Sequence, residues 1–130
     1  MPRVFLICQP SIRKDGSMPD LKPLAEHGEV ILLVHAGDRP TFSPSETKVL
    51  QSRIIEKLRD FDPNQDFLVW AGGDTLCAVM TGVALERLEF NRVRWLRYDR
   101  GRDPATGRRT DANARYVPVE YPLHEGAPST

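Results

Sequence analysis

Three groups of residues in this chain have the types and spacing to do chemistry. The first is Gly72-Gly73-Asp74-Thr75, set between a short apolar run (Phe67 to Ala71) and an apolar segment of helix length (Leu76 to Leu88). Glycines ahead of a helix leave backbone N–H groups free, and the helix dipole favours an anion there. The same position suits Asp74 as a helix cap, its carboxylate accepting from the N–H of Leu76 or Cys77. A capping carboxylate takes the hydrogen bonds an anion would use and repels it. The turn is not G-x-G-x-x-G, and no G-x-x-x-x-G-K-[ST] occurs in the chain.

The second group follows the other apolar runs: Gln9 after Val4 to Cys8, and His35 and Asp38 after Val30 to Val34. In open parallel sheets ligands sit at the C-terminal ends of the strands. Gln9, His35, Asp38, Gly72, Gly73, Asp74 and Thr75 therefore form the expected ligand rim, with Ser11 and Arg39 beside it. His35, Asp38 and Asp74 are the donor types of a metal site, or of a base with its orienting carboxylate. Three such residues from two loops recur by accident, so no metal, cofactor or catalytic residue is assigned. No G-x-S-x-G surrounds a serine.

The third group is basic. From Arg92 to Arg115 there are eight arginines against three aspartates, a net +5. The whole chain has a formal net charge of zero, so the remainder carries −5. Arg94, Arg97, Arg100, Arg102, Arg108 and Arg109 are the candidate partner-binding residues. They have the chemistry to hold phosphates or an acidic protein surface, and Trp95 and Tyr98 interleave with them as in nucleic-acid platforms.

The elements that position these groups follow from periodicity. Arg3 to Gln9 reads as a buried strand, and Glu29 to His35 and Phe67 to Ala71 as further apolar strands. Asp20 to His27 reads as a short helix capped by Asp20, with His27 near its end as a C-terminal cap or dipole partner. Ser43-Pro44-Ser45-Glu46 is a capping box with proline at the first helical position, and Leu50, Ile54, Leu58 and Phe61 continue at helical spacing. The segment Leu76 to Leu88 is apolar nearly all round, which predicts a helix buried on most sides or covered by a partner. Val93 to Asp99 and Tyr116 to Tyr121 alternate as strands around a polar loop, Arg100 to Ala114, giving a hairpin with a long tip; Pro118 confines the second strand to an edge. Strand and helix alternation predicts an α/β fold: a three-layer, Rossmann-like, mostly parallel sheet with helices on both faces and a C-terminal antiparallel hairpin at the edge. Residues 1–123 are expected to form one domain and 124–130, including His124, a disordered tail.

Composition narrows the setting. The chain has 130 residues, 40% hydrophobic and 28% charged, ordinary for a globular domain. Cys8 and Cys77 sit in apolar runs without a C-x-x-C, which fits buried thiols in a reducing compartment. No apolar run approaches the ~20 residues of a membrane span, and the opening PRVFLICQP is too short for a signal peptide. A cytoplasmic location and no membrane partner are expected.

Two resemblances add to this. Gly72-Gly73-Asp74-Thr75 resembles the GGDG[ST] loop of NAD kinases and diacylglycerol kinases, without the glycine after the aspartate; only Asp74 carries over. More widely, RVFLICQP, Pro19-Asp20-Leu21, Asp60 to Pro63 with Asp66, Trp70 to Asp74, Val93 to Arg100 and Tyr116 to Val119 resemble small α/β proteins encoded by tailed bacteriophages and prophages. That resemblance runs to about Leu123. It implies a viral origin and a role inside the infected cell, modulating host machinery or assisting the phage, and it attaches no catalytic residue. The expected function is therefore a non-enzymatic binding module that engages an anionic host or phage protein, or nucleic acid, through the arginine-rich hairpin. The competing expectations are a nucleotide- or phosphate-binding rim around Asp74, a virion or assembly component, and a homo-oligomer formed through the hairpin edge.

Overall fold

The computed structural model describes residues 1–10, 14–17, 20–38 and 43–123. Ser11, Arg39 and the tail 124–130 with His124 lie outside the described residues. The elements are β1 (Arg3–Cys8), α1 (Lys22–Ala25), β2 (Glu29–Val34), a 3-10 turn (Ala36–Asp38), α2 (Pro44–Leu58), β3 (Phe67–Val69), α3 (Thr75–Arg87), β4 (Arg92–Arg102) and β5 (Arg109–Pro122). They build a mixed α/β structure around one five-stranded sheet of order β2-β1-β3-β4-β5. β2–β1, β1–β3 and β3–β4 pair in parallel, and β4–β5 pair antiparallel. The mostly parallel sheet with an antiparallel hairpin at its edge is thus present.

β1 is an interior strand between β2 and β3, and its run Val4 to Cys8 is buried on both sides, as a strand covered on both faces requires. Phe5 and Ile7 join Leu50, Ile54 and Leu58 of α2 and Cys77, Met80, Ala84 and Leu85 of α3 in the larger core. Val4 and Leu6 point the other way and meet Leu24 of α1, Phe67, Val69 and Leu96. The two faces are unequal: α2 and α3 cover the first, and the second carries the four residues of α1. The free edge of β2 is covered from above by Lys57 of α2, whose Nζ donates to the carbonyls of Leu32 and Leu33 at 3.3 and 3.0 Å; a lysine there discourages edge-to-edge pairing.

α2 starts where its capping signal stands. Pro44 opens the helix, and Ser43 Oγ accepts from the Glu46 N–H at 3.4 Å. Beyond its C-terminus, Phe61 packs edge-on between Phe5 and Phe90, at ring separations of 5.4 and 5.6 Å. Asp66 then ties three segments together. Its carboxylate is 1% exposed and accepts from Arg3 N (2.9 Å), Arg3 Nη2 (2.9 Å) and Asp62 N (2.8 Å). The hydrogen bond that the Arg3 guanidinium donates to Asp66 is the main reason its pKa lies above the ordinary value.

Four expectations are corrected. α1 is one turn long and capped at Leu21; Asp20 Oδ1 instead accepts from the Lys22 N–H at 3.0 Å. His27, expected as a helix-end cap, instead lies 3.1 Å through Nε2 from the carbonyl of Tyr116 and edge-on to Phe67 at 5.8 Å, fastening β5 to α1. Of the two expectations for α3, burial on most sides does not hold: Leu76, Val79 and Val83 are 40%, 57% and 37% exposed, because the sheet lies on one side of the helix only and α2 beside it. The long hairpin tip contracts to Asp103–Arg108, since β4 runs to Arg102 and β5 starts at Arg109. Asp103 closes that turn: its N–H donates to the Arg108 carbonyl, its carbonyl accepts from Gly107 N–H, and its carboxylate accepts from Ala105 N–H, each at 2.8 Å. Arg100, Arg102 and Arg109 consequently stand on paired strands, not in a loop.

Candidate functional site

At the strand-end rim the structure brings Gln9 and the glycine turn together. The Cys8 thiol donates to the Gly72 carbonyl at 3.2 Å, and Gln9 N–H donates to the Val34 carbonyl at 3.1 Å. Gly72 and Gly73 both have positive φ, +99° and +97°. A Cβ on Gly73 would lie 2.5 Å from Cys8 Sγ and 3.2 Å from the Gln9 carbonyl oxygen, so the turn is seated directly on the end of β1. Asp74 is the α3 cap: its Oδ1 accepts from Leu76 N–H at 2.9 Å and its carbonyl from Cys77 N–H at 3.1 Å. Thr75 is the first residue of α3 and exposed.

His35 and Asp38 lie at the end of β2, on the far side of β1 from β3. The His35 carbonyl accepts from Asp38 N–H at 3.0 Å, and the Asp38 carboxylate faces Arg53 at 3.5 Å. With Asp74 spent on its cap, the three do not assemble into one centre: among the described residues no three His, Cys, Asp or Glu side chains are grouped to hold a metal ion.

The hairpin is built differently. Its register pairs Val93 with Tyr121, Trp95 with Val119, Arg97 with Val117 and Asp99 with Arg115 on one face, since directly opposed residues share a face and alternate along each strand. Val93 and Trp95 join the core beneath α2 and α3, so this is the first face. Arg92, Arg94, Leu96 and Tyr98, opposite Pro122, Glu120, Pro118 and Tyr116, share the second face. A register shift between Asp99 and Gly101 breaks the ladder before the turn.

The candidate arginines divide by position. Arg94 is used within the fold: its Nη2 donates to the Asn64 carbonyl at 2.9 Å and its guanidinium lies 4.4 Å over the Phe67 ring, while its Nε is buried without a hydrogen-bond partner. Arg92 is held by Glu120 at 3.2 Å and by Asn64. Arg97 and Arg108 are exposed and have no ion-pair partner among the described residues. Arg100, Arg102 and Arg109 flank the turn on the two strands, with Arg102 opposite Arg109. Tyr98 packs against Tyr116 with ring centroids 5.2 Å apart and planes tilted by 57°; burial, with a smaller contribution from Tyr98, raises the Tyr116 pKa above its ordinary value.

A groove not anticipated from the sequence lies between α3 and the hairpin. It has a volume of about 630 Å³ and is lined by Gly82, Leu85, Glu86, Trp95, Tyr121 and Leu123. Only the two-residue alternation through Trp95 and Tyr121 could have signalled it; Glu86 comes from a helix whose rotation the sequence leaves open. Among the described residues no helix is long and apolar enough to cross a membrane.

Comparison with known proteins accounts for the phage resemblance. A family described as Phage Pam3 gp32-like protein matches residues 2–104, from the start of β1 into the hairpin turn, and leaves β5 outside the match. No curated protein and no solved structure matches. With most of its length matched, the chain belongs to the Phage Pam3 gp32-like protein family.

Proposed function

We propose that this phage protein is a non-enzymatic interaction module that works in the host cytoplasm. In this reading the Rossmann-like, three-layer body is a scaffold, and the arginine-rich hairpin grips an anionic surface of a host or phage protein or of nucleic acid. The observation that carries it is the concentration of charge on one ribbon: net +5 from Arg92 to Arg115, with Arg97 and Arg108 exposed and unpaired among the described residues. Each desolvated arginine fork can hold a carboxylate or phosphate in a bidentate contact. The rim supports a ligand less well, because the Asp74 carboxylate serves the cap and Gly73 the close seat on β1. Edge-to-edge pairing of two copies through β5 would use the same ribbon, but Pro118 and Pro122 on that strand weaken it as a pairing edge.

The test is a pull-down from lysate of phage-infected cells with the wild type and a variant carrying Arg100→Ser, Arg102→Ser, Arg108→Ser and Arg109→Ser. The reading expects the wild-type partners to be lost from the variant. Retention of every partner contradicts it.

A further inference from the structure

We propose that the anionic partner is a single-stranded nucleic acid, with a base held in the groove between α3 and the hairpin and the adjoining phosphates held by arginines on the same sheet face. This rests on the hairpin reading and names its partner class.

Trp95 and Tyr121 are diagonal neighbours on the first face, since Trp95 pairs with Val119 and Val93 with Tyr121. Diagonal cross-strand side chains stand ~7–8 Å apart at Cα, within reach of one planar ring between or across them. Tyr121 is 60% exposed and Trp95 half-buried, so aromatic surface faces the groove. The groove's volume of about 630 Å³ lies inside the ~300–1,000 Å³ of small-molecule sites. The polar side-chain groups of its lining residues are the Trp95 N–H, the Tyr121 hydroxyl and the Glu86 carboxylate, none of which has a hydrogen-bond partner among the described residues.

Glu86 decides what enters. A carboxylate at an apolar wall repels phosphate and the side chains of an acidic peptide, and it accepts from an amine such as the exocyclic N–H₂ of a base. Bases stack on aromatic side chains whatever their identity. The phosphates then have cations in line. Arg97 follows Trp95 by one same-face step, ~6.6 Å along the strand, and Arg115 lies one step further, opposite Asp99 at 3.7 Å. A duplex hides its base faces in the stack, which selects a single strand.

The test uses the full chain and a labelled oligonucleotide of mixed sequence, about 12 nucleotides long, at about 50 mM salt, read by fluorescence anisotropy. The same length as duplex and a polyglutamate of matched charge are the comparison arms. The single strand is expected to bind at least ~10-fold more tightly than either arm, with Tyr121→Ala and Trp95→Ala each weakening it by ~10-fold while Trp95→Phe retains most of the affinity, as ring stacking requires. Arg97→Ser is expected to flatten the slope of log K against log salt by ~0.7. Tyr121 is a surface residue, so its variant reports on binding even where Trp95→Ala perturbs the fold. Equal binding of polyglutamate and oligonucleotide, or indifference of binding to Tyr121→Ala, overturns the nucleic-acid proposal and leaves the hairpin reading standing. Failure to bind any of the three anions overturns both.

Discussion

A side chain at Gly73 would collide with Cys8, its Cβ 2.5 Å from the Cys8 sulfur. The glycine pair therefore does two different things. Gly72 has φ +99° and open space around it, whereas Gly73 has φ +97° and is pressed onto β1. Gly72→Ala should incur only the left-handed backbone cost, ~1–2 kcal/mol. Gly73→Ala should add an overpacking cost of ~1–3 kcal/mol, and Cys8→Ala in the same chain should recover part of it. Urea unfolding of the two single variants and the double variant checks this; equal losses for Gly72→Ala and Gly73→Ala would contradict the close seat of the turn on β1.

Asp66 is a buried carboxylate whose partners come from β1 and from the α2–β3 connection. A buried donor left without its acceptor typically costs ~1–3 kcal/mol, and Asp66→Ala strips the acceptor from the backbone N–H groups of both Arg3 and Asp62, so it should be among the more destabilising single changes in the chain. Arg53→Ala, which breaks the exposed 3.5 Å pair with Asp38, should cost under ~1 kcal/mol. Denaturant midpoints of the two variants give the comparison, and similar midpoints would count against the Asp66 account.

Asp74 is a cap, and its loss should register as a cap. Asp74→Ala is expected to lower stability by ~1 kcal/mol, with Asp74→Ser retaining most of it. Binding of the partner at the hairpin should not change in either variant. Thermal unfolding and a binding assay run on the same samples separate the two effects.

Tyr116 sets an alkaline limit. Burial raises its pKa above the ordinary tyrosine value, with Tyr98 adding to the shift. In the range above ~10 the unfolded chain has lost this proton while the folded chain retains it. The folded state then binds more protons, so stability falls as pH rises through that range. The contribution is fully present below it. Ultraviolet titration should show a late-ionising tyrosine, and Tyr116→Phe should remove that late step and flatten the loss of stability at alkaline pH.

Local signals carried most of the elements. The unbroken apolar runs located β1 and β2, Ser43-Pro44-Ser45-Glu46 located the start of α2, and Asp74 was legible as the α3 cap because a short acceptor followed two glycines. What the sequence hid were relationships between segments distant along the chain. Asp66 sits beside an apolar strand with nothing local to say that Arg3 will donate to it, and His27 meets Tyr116 only after the sheet is assembled. The turn at Asp103 was hidden for another reason: RGRDPATGRRTDANA is polar throughout, so nothing apolar marks where its strands end. The groove beside α3 depends on which side of a nearly all-apolar helix faces the sheet, and periodicity cannot decide that.

The central claim is that partners are held by the hairpin and not by the strand-end rim. The most direct measurement is a side-by-side capture from phage-infected lysate with three proteins: the wild type, the Arg100→Ser, Arg102→Ser, Arg108→Ser and Arg109→Ser variant, and a folded rim variant, Asp74→Ser. The account predicts that the rim variant holds every wild-type partner and the arginine variant none. Partners lost from the rim variant but kept by the arginine variant would contradict it.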